Sequence, residues 1–486
     1  MEKCGLPKTV CMILVVCVAT AIASPAQTFT SLFSFNGTDG QNPEAGLVQG
    51  TGGNFYGTTA AGGAYNLGTV FKIAAAGTLT TLHSFDGTDG ECPYGGLVQA
   101  TNGSFFGMTW KGGAYGYGTV FKITAAGTLT TLHSFNYTDG AYPYAGLLQG
   151  TNGIFYGTTS AGGVNGGFGT VFKITAAGTL TTLYSFAHGE GPEAGLVQGT
   201  DGNFYGTTIY GGAYGGGTVF EITTSGTLTT LHSFDYTDSG YAYAGLVQGS
   251  DGTFYGTTEG FGFAAYGYGT VFEINAGGTL TTLYTFDSTD GDCPYAGLLQ
   301  GTNGIFYGTT SGGGTSGVGT VFSLSMGLGT FVQPRLTMGE VGAEVILLGN
   351  NLTGATAVSF NGTAATFTAK STEIKTKVPA GAATGTVTVT TASGGTLSSN
   401  VPFRVTPQLK GFNPRKGPVG TEVEITGESL TQTSGVSFGS VAATEITVVS
   451  DTEVTATVPS GAVAGTITIT TLGGIATSTK NFTVTE

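Results

Sequence analysis

The residues best placed to do chemistry are the acids of two short loops. Asp86, Asp89 and Glu91 are spaced D-x-x-D-x-E, and Asp287, Asp290 and Asp292 repeat the spacing with Asp in the last place. Each loop can offer three carboxylates, and Ca²⁺ takes several such oxygen ligands from flexible loops. The same acids can instead cap their own turns, because an Asp carboxylate accepts hydrogen bonds from the backbone just after it. Asp39, Asp139, Glu190, Asp235 and Asp238 lie at corresponding places elsewhere in the chain.

A second set is aromatic. Tyr94, Tyr144, Tyr243 and Tyr295 hold one recurring position, and Glu44 and Glu193 hold it in two further segments. Trp110 lies in a glycine-rich stretch of the kind that also carries Tyr65, Tyr115, Tyr117, Tyr214, Tyr266 and Tyr268. Exposed aromatics beside a few acids can stack on sugar rings; buried ones would fill gaps between structural units. Glu44, Glu193 and Glu190 are also the acids that break the repeat. A glycosidase, which needs two carboxylates about 5–9.5 Å apart, would have to use them.

Other signals are weaker. His83, His133 and His232 share a position with Phe33, Tyr184 and Tyr284, an interchange that points to packing. With four histidines in all, a zinc enzyme has little to build from. Gly312-x-Gly314-x-x-Gly317 fits a dinucleotide fingerprint but has no helix after it. No nucleophile elbow, P-loop or H-E-x-x-H is present, so no catalytic residue is assigned.

The elements that must position these residues repeat. The run Asn54-Phe55-Tyr56-Gly57-Thr58-Thr59 returns at Phe105, Phe155, Phe204, Phe254 and Phe306, with spacings of 50, 50, 49, 50 and 52 residues. A fixed period of this length marks a repeat architecture. Within one unit, Leu196-Val197-Gln198 is followed by Asp201-Gly202, a hairpin signal because a type I′ turn needs positive φ at both central residues. Phe204 to Thr208, Gly217 to Ile222 and Leu228 to Phe234 then read as three further strands, rich in β-branched and aromatic residues. Four short strands per unit predict a β-propeller blade.

Fourth strands of the Leu-Thr-Thr-Leu type number five, and a sixth, Phe29 to Phe35, precedes the first full unit. That predicts a ring closed by its N-terminal strand, which hides a sheet edge. An open β-solenoid is the rival. Gln49, Gln99, Gln149, Gln198, Gln248 and Gln300 recur in the first strands, as a polar ring or a hydrogen-bonded belt.

Composition sets further limits. The 88 glycines and 9% charged residues would suit a low-complexity chain, but the glycines fall at periodic turns, which argues for a folded β protein. Residues 1–23 read as a secretory signal, with Lys3 and Lys8, an apolar core from Val10 to Ala19, and Ala21-Ile22-Ala23 as cleavage site. Its removal takes two lysines and one glutamate and moves the net charge from −14 to −15. That acidity disfavours nucleic acid, and no transmembrane segment is expected in the mature chain. Cys92 and Cys293 would remain, two units apart at best, too far for a disulfide to be expected.

Beyond Ser325 the repeat stops. Gly342 to Leu347, Val358-Ser359-Phe360, Val378-Pro379-Ala380-Gly381 and Val387-Thr388-Val389 are echoed by Gly420 to Ile425, Val436-Ser437-Phe438, Val458-Pro459-Ser460-Gly461 and Ile467-Thr468-Ile469. Short alternating strands at this spacing predict two small β-sandwiches. They resemble tandem IPT/TIG-type immunoglobulin-like domains, the second more closely through Pro414 to Gly420. Such a resemblance implies spacers on a bacterial surface.

The unit Thr289-Asp290-Gly291 … Pro294-Tyr295-Ala296-Gly297-Leu298 … Gly304 to Thr310 … Gly319-Thr320-Val321-Phe322 is similar to the GloVer (Gloeo/Verruco) tandem repeat of secreted bacterial proteins, over about 300 residues. That resemblance implies no assigned activity.

The chain is therefore expected to be all-β: a leader over 1–23, a six-bladed β-propeller over 28–330 closed by an N-terminal strand, and immunoglobulin-like β-sandwiches over 334–405 and 407–486. The expected role is a secreted or cell-surface, non-catalytic binding or adhesion protein. Its partner would be a glycan or a surface protein, with no cofactor except calcium. The alternatives are an extracellular carbohydrate-active lyase or hydrolase and a structural matrix component.

Overall fold

The computed structural model describes residues 31–486 apart from 51–53, 75, 101–102, 151–152, 236 and 261–267. The expected leader, the turn glycines Gly52 and Gly53, and Tyr266 lie outside the described residues. Among the described residues every helix or strand element is a strand.

In the first sheet β1 (Val48–Gln49), β2 (Phe55–Thr59), β3 (Thr69–Ile73) and β4 (Leu79–Ser84) pair antiparallel and in chain order. Four more sheets repeat this arrangement. Pairing that stays within each repeat is that of propeller blades and not of a solenoid, whose strands pair between repeats. A bulge recurs between Val70 and Phe71, Val120 and Phe121, Val171 and Phe172, Val219 and Phe220, and Val271 and Phe272. Bulges increase local twist, which turns each sheet's outer strand relative to its inner one. Each sheet also bonds a threonine pair between its second and third strands, from the buried Thr59–Thr69 at 2.8 Å to the part-buried Thr310–Thr320 at 2.9 Å.

Neighbouring sheets meet through the same contacts five times. Tyr56 lies on Phe105, Phe106 on Phe155, Tyr156 on Phe204, Tyr205 on Phe254 and Tyr255 on Phe306, with ring centroids 3.9–4.2 Å apart. The fourth-strand phenylalanine of each sheet packs edge-on against the next sheet, as Phe85 does on Phe121 at 5.3 Å. Aromatic pairs of this kind add about 0.5–1.5 kcal/mol each beyond the area they bury.

The sixth sheet departs from the pattern. It holds three strands, Leu299–Gln300, Ile305–Thr310 and Thr320–Ser325. The strand expected to complete it does not do so among the described residues. Phe29 and Thr30 lie outside them, and residues 31–36 form no ladder. Residues 31–36 instead lie against the first sheet, with Phe35 5.2 Å from Phe71 and the Leu32 carbonyl beside Gly77. These are the contacts that a preceding sheet's fourth strand makes, because a fourth strand packs on the next sheet as well as pairing with its own. Val321 is 81% exposed, whereas its five counterparts are at most 1% exposed.

The C-terminal part forms two sandwiches of one topology. In the first, Gln333–Pro334, Glu344–Leu348, Glu373–Lys377 and Phe367–Ala369 face Thr363–Ala365, Ala357–Phe360, Val387–Thr390 and Thr396–Ser398. The second repeats this order, with a final strand Gly474–Val484. Alternating inward residues such as Val345, Leu347, Val387 and Val389, or Val423, Ile425, Ile467 and Ile469, fill the cores.

The first sandwich docks on the end of the blades where the first and second strands turn. Arg404 donates to the Gly150 carbonyl at 3.0 Å, Arg335 to Gln49, and Asn350 to Thr302 at 2.9 Å. The glutamines at that end form a belt. Gln248 donates to the Gly252 carbonyl at 2.9 Å and accepts from the Thr200 amide at 3.1 Å, and Gln300 accepts from Ser250 at 3.0 Å.

Candidate ligand-binding face

The opposite end of the blades carries the acidic and tyrosine-bearing loops. They share that end because the sheet-to-sheet link and the loop between second and third strands emerge together. Backbone bridges Glu91–Lys111, Ala141–Ala161 and Asp292–Gly312 lace the two loops of one blade. Across blades, the Cys92 amide donates to the Leu67 carbonyl at 2.9 Å, and the Thr158 hydroxyl to the Ala194 carbonyl at 2.9 Å.

This lacing brings most of the expected aromatics together. Tyr94 stacks on Tyr144 at 4.8 Å and meets Trp110 at 5.7 Å; Trp110 meets Tyr142 at 5.6 Å, and Tyr142 meets Tyr117 at 5.8 Å. Lys111 sits 4.0 Å above the Trp110 ring. A second group pairs Tyr243 with Tyr295 at 5.2 Å and Tyr210 with Tyr241 at 5.5 Å. Glu193 is close enough to both groups to act on Tyr144 and Tyr243. Glu44 acts on Tyr94 and Tyr144.

The electrostatics follow from crowding acids among half-buried phenols. Burial raises the Glu193 carboxyl above its ordinary range. Burial, then Glu44 and Glu193, raises the Tyr144 hydroxyl. Burial, then Glu259, raises Tyr243. For Tyr295 the hydrogen bond to Glu259, 2.5 Å long, is the main cause. The raised phenols therefore stay protonated as donors at neutral pH, and burial disfavours the charged form of Glu193.

Tyr142, Tyr210, Tyr241, Lys111 and Glu259 join this face without having been singled out in the sequence. Tyr142 and Tyr241 sit at φ of 57° and 59°, the left-handed position that Cys92 and Cys293 occupy at 54°. Their signal was their place two residues ahead of Tyr144 and Tyr243. Tyr65, Tyr115 and Tyr214 stand exposed at the tips of the glycine-rich loops and fill no gap between blades.

The family is decided by the repeat. The Gloeobacter/Verrucomicrobia repeat model matches residues 18–168 and 147–368. The chain belongs to the Gloeobacter/Verrucomicrobia repeat family. An IPT/TIG domain matches residues 407–485, the second sandwich.

Among solved structures, this repeat protein is similar to a surface glycan-binding protein from Prevotella bryantii, at 21% identity and a TM-score of 0.25, covering 31% of this chain and 41% of that one. A fungal alcohol oxidase of the AA5 family in complex with copper shares 12% identity at a TM-score of 0.40, covering 74% and 85%. A gluconolactonase from Xanthomonas campestris shares 12% identity at 0.36, covering 59% and 88%. No curated protein matches the chain.

The acidic loops of the repeat protein are built as turns. Asp86 Oδ1 accepts from the Thr88 amide at 2.9 Å and its hydroxyl at 2.7 Å, while Asp89 Oδ1 accepts from the Asp86 amide at 3.1 Å. Asp287 and Asp290 repeat this with Thr289. The Thr88 and Thr289 bonds lower the Asp86 and Asp287 carboxyls. Glu91 pairs with Lys111 through backbone, and Asp292 accepts from the Cys293 thiol at 3.0 Å. Among the described residues no group of three or more His, Cys, Asp or Glu is arranged to hold a metal ion.

The remaining oxygen of the second Asp is also used. His83 Nε2 lies 2.6 Å from Asp89 Oδ2, His133 lies 2.9 Å from Asp139, and His232 lies 2.5 Å from Asp238; the Tyr284 hydroxyl donates to Asp290. The position expected to pack does pack, His83 lying edge-on to Phe85 at 5.2 Å, but its polar tip also holds the acid six residues on. Cys92 and Cys293 are unpaired thiols. Burial first, then the Asp292 hydrogen bond, pushes Cys293 up to about 12, so it is no thiolate nucleophile.

Proposed function

We propose that the chain is a secreted or cell-surface, non-catalytic binding protein that takes a glycan on its tyrosine-rich face, with the sandwiches as a spacer. The observation that carries this reading is the continuous strip Tyr144–Tyr94–Trp110–Tyr142 beside Glu193. Aromatic rings in a row offer apolar faces for sugar rings, and phenol hydroxyls and carboxylates at their edges take sugar hydroxyls. The first sandwich is bonded to the other end of the blades, which leaves this face open. No helix of the described residues is long and apolar enough to cross a membrane.

The test is a glycan array probed with the full chain, once with calcium and once with chelator. Binding to a defined glycan that Trp110→Ala weakens about tenfold supports the reading. Chelator sensitivity would add calcium at Asp86, Asp89, Asp287 and Asp290; no binding in either condition sinks the glycan assignment in favour of a protein partner or a structural role.

The raised carboxyl of Glu193 favours one second reading, a hydrolase or lyase in which Glu193 donates a proton. Polysaccharide turnover lost in both Glu193→Gln and Glu44→Gln would support it.

A further inference from the structure

Two apolar faces of the repeat array are uncovered, and they have the chemistry of opposite sides of one junction. On the sixth sheet, Val321 is 81% exposed and Tyr307 is 37% exposed. In the five formed junctions the residues at these places, such as Val70 and Tyr56, pack into the next sheet. On the first sheet, Leu47 is 54% exposed, whereas its counterparts Leu97, Leu147, Leu196, Leu246 and Leu298 are 7–8% exposed. Phe55 is only half-buried where Phe105, Phe155, Phe204, Phe254 and Phe306 are buried.

We infer that these faces form one more junction between two copies of this chain, joined head to tail. The five internal junctions supply the template. Val70 shares a cluster with Leu97 and Phe105 of the following sheet, so Val321 and Tyr307 of one copy take Leu47 and Phe55 of the next.

The backbone matches as well. Among the described residues the sixth sheet ends at Thr320–Ser325 with no strand paired to that edge. Residues 31–36 of the next copy already lie on their own first sheet where a fourth strand belongs, through Phe35 on Phe71. Ser31-Leu32-Phe33-Ser34-Phe35 has the fourth-strand pattern of Thr81-Leu82-His83-Ser84-Phe85. Docking therefore adds a strand to an open edge, the β-augmentation mode of recognition. Among the described residues of one copy both faces stand open, and the first sandwich is bonded to both sheets, to the sixth through Asn350 and to the first through Arg335. Because the two patches differ, the contact is heterologous and can propagate.

The test is sedimentation velocity on the full chain across a wide concentration range. The wild type should form species larger than a monomer. Val321→Asp and Leu47→Asp should each be monomeric, with unchanged circular dichroism because both positions are exposed. An equimolar mixture of the two variants should give dimers and nothing larger, since each supplies the face the other lacks. A wild type that stays monomeric at every concentration overturns the inference. If, in that case, both variants also lower the melting temperature, the two faces close on each other within one chain.

Discussion

Arg404 Nη1 and the carbonyl oxygen of Gly150 lie 3.0 Å apart, although 254 residues separate them in the chain. The guanidinium is buried, also reaches Gln149, and lies beside Met338. It fastens the first sandwich to the third blade. Arg404→Met keeps apolar volume at this place but removes a charged donor, at a cost of about 1.5–3 kcal/mol, while the Gly150 carbonyl still accepts from the Gly153 amide at 2.9 Å. The expected result is faster protease cleavage between residues 326 and 333 and a larger radius of gyration by X-ray scattering. An unchanged radius would mean that the remaining contacts suffice.

The two sandwiches should also move as one body. Gln432 accepts from the Thr384 amide and donates to its carbonyl, both at 2.9 Å, and Gly473 lies so close to Val405 that an added Cβ would meet the carbonyl oxygen at 1.8 Å. Gly473→Ala should separate the domains without unfolding either. The check is hydrogen exchange, which should rise at Thr384 and Val405 while core strands such as Val423 and Ile425 stay protected.

Acid sensitivity should trace in part to the His133–Asp139 pair. Burial opposes ionisation of Asp139, but the His133 hydrogen bond and nearby backbone donors outweigh it and lower its pKa. A folded-state pKa below the unfolded value gives stability that is present above the unfolded pKa and is lost as pH falls through the folded one. His133→Ala should therefore move the acid unfolding midpoint upward and cost about 1 kcal/mol, a figure kept small because the pair is partly solvent-screened. Equal midpoints for variant and wild type would refute this.

Glu193 should behave with the opposite sign. Burial raises its pKa, so its contribution to stability is full below the unfolded pKa and is lost as pH rises through the folded one. Glu193→Gln should raise the melting temperature at pH 7, and the gain should fade below the ordinary carboxyl value of 4.5. Thermal melts at pH 7 and pH 4 decide it.

Trp110 bridges Tyr94 and Tyr142 on the aromatic strip. Trp110→Ala should weaken glycan binding by about 1–2 kcal/mol, roughly tenfold, with the fold retained by circular dichroism. Titration calorimetry with the best array ligand measures it.

The repeat was the most legible part of the sequence, because turns at Asp201-Gly202 and strands such as Phe204 to Thr208 are set by local chemistry. The Tyr94, Tyr144, Tyr243 and Tyr295 series was legible for the same reason, since one period maps them to one place. The His83–Asp89 pairing was hidden, because a ring that interchanges with Phe33 reads as packing even when its nitrogen holds an acid. The calcium spacing at Asp86 and Asp89 was ambiguous because the same carboxylates build the turn. The docking of Arg404 could not be read at all: a contact 254 residues away leaves no periodic trace. The expected closure rested on the count of fourth strands, with Phe29 to Phe35 as the sixth; the contact of residues 31–36 with the first sheet fits that pattern, while the pairing with the sixth sheet is not made among the described residues.

Each repeat bonds its own threonine pair, and in most of them the threonine just before the pair's first member donates to a carbonyl of the following unit, as Thr158 does to Ala194 and Thr207 to Ala244. A unit cut out or copied at its boundaries therefore brings along both the donor and the acceptor it needs. Unequal recombination can lengthen or shorten such a gene by whole units and still encode a chain in which these threonine bonds are kept. The count of blades is then a heritable variable, open to selection separately from the surface chemistry that each blade displays.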